Sequence, residues 1–135
     1  MTRIRVILHA AAGALLLMEA GYFLWIALAA GLAFVKASFG LPTFVLLDGG
    51  IAALLAILAL GYWRHHRVAV GTLWVLWPLL VLYGAWAFSN GYRIMAGWSG
   101  VWEGDLVALG TASGAGFVLL GVVVLAERLA TRRAR

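Results

Sequence analysis

"VILHAAAGALLLMEAGYFLWIALAAGLAF", residues 6–34, carries a single formal charge, Glu19, within an otherwise uncharged run. A helix needs ~20 apolar residues to cross the hydrocarbon of a bilayer. This run is longer than that and has no alternation of apolar with polar residues. It therefore reads as a transmembrane helix and not as a barrel strand, because backbone groups in lipid must be satisfied within the segment. Three further apolar runs of sufficient length follow at 43–63, 68–88 and 106–126. The expected fold is all-α: one integral membrane domain over 1–135.

The rest of the chain agrees with that reading. Its residues are 65% hydrophobic and 11% charged with mean hydropathy +1.03, leaving too little polar surface to cover a soluble globule. The sequence contains no cysteine, which excludes disulfides, thiolate metal sites and thiol redox chemistry. No nucleotide loop or metalloprotease motif is present.

The formal charge of +5 is a topology signal before it is a binding signal, because the basic residues flank the apolar runs. Arg3 and Arg5 precede the first run, Arg64 and Arg67 join the second to the third, and Arg128, Arg132, Arg133 and Arg135 follow the fourth. Only Lys36 and Arg93 lie on the other side. This bias predicts that both termini and the "RHHR" turn face the cytoplasm, and membrane lipid, not nucleic acid, is the expected surface. The basic start followed by a long apolar run reads as a retained helix, with no small-residue cleavage motif ending it. The expected location is a bacterial cytoplasmic membrane.

Short connections at 35–42 and 64–67 make consecutive helices antiparallel neighbours, giving an up-down four-helix bundle. The stretch 89–105 reads as a long outer loop. Trp98 and Trp102 there share one face of a short turn, and with Glu103 and Asp105 they form a candidate interface at the membrane surface. Pro78 falls mid-span and should bend its helix and free a carbonyl, a candidate hinge. "GTASGAG", 110–116, spaces Gly110 from Gly114 and Ala112 from Gly116 by four, which allows close helix packing; "DGGIAA", 48–53, has the same character.

Glu19 falls ~15–20 Å into the membrane, near the midplane and too deep to snorkel. A charge there costs several kcal/mol on its own, so Glu19 must carry a proton or meet a partner. No basic residue of the chain shares its depth. Asp48 sits about 8 Å below the outer surface, and Tyr22 shares the face of Glu19 one turn on. The three together suit a proton relay or a cation site; the plainer alternative for Asp48 is a packing hydrogen bond.

His9, His65 and His66 all map to the cytoplasmic edge. A bis-histidine haem from His9 with His65 or His66 is within geometric reach, but no adjacent motif supports it, and no metal or cofactor is expected. Glu127 is placed to pair with Arg128 or Arg132, in an arginine-rich end that serves as a stop-transfer signal or contacts lipid head groups. Trp74, Trp77 and Trp86 form a candidate ridge; a buried Trp N–H wants a partner.

A membrane-embedded glutamate in the first of four helices resembles the small multidrug exporters, as does "WSGV", 98–101. The resemblance implies coupling of protons at Glu19 to efflux. The chain departs from that family in its greater length, in the outer-loop position of "WSGV" and in its one-sided charge bias, so it is not assigned there. The leading expectation is a small non-enzymatic accessory or assembly subunit, associating with a membrane-protein partner or with itself. The alternative is a proton-coupled carrier or channel using Glu19. A membrane enzyme acting on lipid or quinone is third, since no second catalytic group stands at a suitable spacing.

Overall fold

A computed structural model describes the backbone of residues 2–36, 43–97 and 101–134, and the side-chain surroundings of 2–28, 46–90 and 110–134. It is all-helical over these residues: α1 (Arg3–Lys36), α2 (Thr43–Trp63), α3 (Arg67–Gly97) and α4 (Val101–Arg133). Each of the four contains a stretch long and apolar enough to cross a membrane, which fits a multi-pass integral membrane protein. The loop expected over 89–105 is largely helix: α3 continues to Gly97 and α4 begins at Val101. Backbone hydrogen bonding carries both helices past the ends of their apolar runs, so hydropathy marked the spans but not the helices. The side chains of Trp98, Trp102, Glu103 and Asp105 lie outside the described residues.

α1 packs against α2 and α4, and α4 packs most extensively against α3. α2 and α3 share the smallest interface of the helix pairs that touch, although only residues 64–66 join them. Leu16, Ala59, Tyr62, Leu73, Leu120 and Val124 form the sealed centre, while Leu54, Ile57, Val75, Leu79 and Leu82 point outward. Large aliphatic side chains on the outside are costly in water but suit hydrocarbon.

Glycine sets the α3–α4 spacing. A Cβ built on Gly84 would lie 2.6 Å from the Gly114 carbonyl oxygen, and one on Gly114 would lie 2.8 Å from that of Gly84. Gly121 likewise faces the Trp77 carbonyl oxygen at 2.9 Å. Backbone meets backbone along this seam, the close approach that small residues permit in membranes. Pro78 acts on the same seam. It has no N–H to give the carbonyl four residues back, at Trp74, and Arg128 Nη1 of α4 donates to that carbonyl at 2.7 Å. The carbonyl freed by the proline is thereby used to fasten α3 to α4, and hinge motion at Pro78 would have to break that bond.

The α2–α3 turn is a Schellman cap: His66 N donates to Gly61 O at 2.8 Å and His65 N to Tyr62 O at 2.9 Å. The left-handed position, usually glycine, is His65 with φ 56°. Its side chain explains the choice, because the turn lays the His65 ring on the ring of His9, with centroids 4.0 Å apart.

Candidate functional site

Two buried carboxyl groups lie along the α1–α4 interface, and they differ in what meets them. Glu19 is fully buried, and its Oε2 accepts a hydrogen bond from Ser113 Oγ at 2.5 Å. The small-residue run of α4 makes this possible. Gly116, three residues after Ser113, leaves room for the carboxyl; a Cβ there would collide with Glu19 Oε1. Oε1 itself has no hydrogen-bond partner among the described residues. Tyr22 extends the same face, its hydroxyl 3.4 Å from where a Cβ on Gly110 would lie. Tyr22 and Tyr83 are within electrostatic range of both Glu19 and Asp48. Asp48 is half-buried and makes no hydrogen bond to Glu19. The partner of Glu19 is therefore neither Asp48 nor Tyr22 but a hydroxyl of α4, which satisfies one oxygen without supplying a counter-charge.

The second acid is Glu127, whose Oε1 lies 2.8 Å from His9 Nδ1, both side chains being buried. The expected local pairs of Glu127 with Arg128 or Arg132 give way to this contact across the interface. The His9 ring is sandwiched between Tyr62, at 4.3 Å, and His65, at 4.0 Å, with nearly parallel planes. Rings in van der Waals contact leave no slot for a porphyrin, so the geometry does not fit axial ligation of haem by His9 and His65. Among the described residues no group of three or more acidic or histidine side chains is poised to hold a metal ion.

No protein-family model, curated protein or solved structure matches the chain.

The two acids are separated by an apolar layer. Ala12, Leu16, Leu120 and Val124, all fully buried, fill the interface between them, over ~15 Å of helix. Beyond Glu19, Phe117 packs edge-on against Tyr83 at 5.2 Å and against Phe23 at 6.2 Å. Around His9 a cavity of about 310 Å³ opens, with Arg5, His65, Arg67, Trp74, Glu127 and Thr131 in its wall. Burial and the nearby charges of His9 and Arg5 lower the pKa of His65.

Ser113, Arg128 and the His9–Glu127 pair were not identified from sequence. Ser113 had a signal: it is one of two hydroxyl residues, with Thr111, in a run otherwise read as spacing. The tryptophan ridge divides: Trp86 is exposed, whereas Trp74 Nε1 is buried beside the cavity with no hydrogen-bond partner among the described residues.

Proposed function

We propose that this chain is a non-enzymatic accessory or assembly subunit of the membrane, docking a partner's transmembrane helix on the outer face of α2. The observation that carries the reading is an unfilled small-residue face. Among the described residues, Cβ positions on Gly49 and Gly50 meet nothing within 4 Å, and Ala53 and Ala56 continue the exposed stripe. Small residues give lipid little to pack on and let a second backbone approach. The equivalent run of α4 is already occupied by α1 and α3. In this reading the helices run up and down with both termini cytoplasmic, as the arginine distribution favours, and the protein resides in a cytoplasmic membrane.

Gentle extraction from the native membrane tests it: a stoichiometric companion, either another protein or a second copy, is expected. A lone monomer would refute it.

A second reading, a proton-coupled carrier or channel, is favoured by Oε1 of Glu19, fully buried and without a hydrogen-bond partner among the described residues. Here Glu19 exchanges protons with the side on which Tyr22, Tyr83 and Asp48 lie, because the apolar layer blocks the other direction. This reading requires Glu19→Gln to abolish pH-driven flux in proteoliposomes; undiminished flux would eliminate it.

A further inference from the structure

We infer that the cavity between α1, α3 and α4 at the arginine-rich end binds a phosphodiester monoanion, the chemistry of an anionic phospholipid head group. Its wall is unusually rich in nitrogen groups able to donate. Arg5 and Arg67 approach from α1 and from the start of α3, with His65 from the turn and Trp74 from about two α3 turns deeper. Several are unused: Arg5 Nε, Trp74 Nε1 and His9 Nε2 are buried and have no hydrogen-bond partner among the described residues. Leaving such groups unsatisfied is costly, and a ligand carrying several acceptor oxygens removes the cost.

His9 is the most constrained of these side chains. It is 6% exposed, both ring faces are covered by Tyr62 and His65, and Nδ1 is committed to Glu127. Only the Nε2 edge remains, and the residue lies in the cavity wall. A proton on Nε2 lets this edge donate to the ligand, while Nδ1 stays 2.8 Å from Glu127 Oε1. The N-terminal end of α3 opens at Arg67 and adds its favourable dipole to the same space.

The wall also holds an acceptor: Glu127 Oε2 is buried there with no hydrogen-bond partner among the described residues, and the guanidinium groups of Arg5 and Arg67 offset its charge. A phosphodiester carries one charge and keeps two free oxygens for Arg5 and Arg67. The guanidinium fork suits that geometry better than an ammonium would.

The test uses the full chain in detergent, titrated separately with phosphatidylglycerol, phosphatidylcholine and inorganic phosphate. Bound molecules are counted by native mass spectrometry, and the melting temperature is followed in parallel. One phosphatidylglycerol per chain should bind and raise the melting temperature, with phosphatidylcholine weaker. Arg5→Gln with Arg67→Gln should weaken phosphatidylglycerol about tenfold or more, while Arg64→Gln, outside the cavity wall, leaves it unchanged. If the double glutamine variant does not fold, Arg5→Lys with Arg67→Lys keeps the charge and should weaken binding to a lesser degree. Inorganic phosphate that competes with the lipid would assign the site to free phosphate, and failure to compete assigns it to the head group. Equal retention of both lipids, binding insensitive to the arginine variants, or binding of no probe would overturn the proposal.

Discussion

The chain contains two short runs of small residues, "DGGIAA" in α2 and "GTASGAG" in α4, and the fold treats them oppositely. In α4 each glycine has a neighbour: Gly110 the Tyr22 hydroxyl, Gly114 the backbone of α3, Gly116 the Glu19 carboxyl. In α2, Gly49 and Gly50 have no such neighbour among the described residues. The same composition therefore performs two tasks. One run builds the bundle and provides space for a buried acid; the other remains on the outside, next to the weakest helix interface in the molecule. Small residues indicate where a backbone can approach, and only tertiary structure decides whether one does.

The largest expected effect comes from filling the occupied run. Gly114→Leu drives a side chain into the α3 backbone and should destabilise the protein by about 3 kcal/mol or more, measured by reversible denaturation in mixed micelles. A near-neutral result would mean that α3 and α4 are not in backbone contact.

Ser113→Ala is next. It leaves both carboxyl oxygens of Glu19 without a donor and should cost about 2 kcal/mol. Ser113→Thr keeps a hydroxyl and so separates loss of the bond from general disruption of the interface.

Arg128→Leu should cost about 1 kcal/mol by abandoning the Trp74 carbonyl beside Pro78. It should also increase hydrogen exchange in the α3 turn around Pro78, the sharper readout if the proline is a hinge that Arg128 restrains.

A smaller, pH-dependent effect belongs to His65. Its folded pKa lies below its unfolded value, so the unfolded chain binds more protons as the pH falls through the ordinary histidine range. Stability should therefore decline on acidification below about pH 6.5, and His65→Asn, which also tolerates the left-handed turn, should flatten that part of the profile. An unchanged slope would remove His65 as its source.

The four spans were legible because hydrophobic length is a local property, visible in any window of the sequence. That Glu19 falls well inside the first span followed from the same counting. Its partner did not: Ser113 lies 94 residues away, and nothing local distinguishes a serine that packs from one that donates to an acid. Glu127 was misread for a related reason. Nearby arginines offered plausible local pairs, whereas the fold brings in His9 from 118 residues away. Pro78 was half legible, since loss of the Trp74 hydrogen bond is dictated by proline chemistry but the Arg128 that answers it is set by helix rotation. The hidden information is consistently rotational: which face of a helix meets which neighbour.

The docking claim depends on such a face, and the cysteine-free sequence allows a clean test. Single cysteines are introduced as Gly50→Cys on the open face of α2 and Val75→Cys on the exposed surface of α3, and each is labelled with a photo-crosslinker in the native membrane. The account predicts one discrete, stoichiometric adduct from position 50 and none from position 75. Adducts from both positions, or from neither, would contradict it.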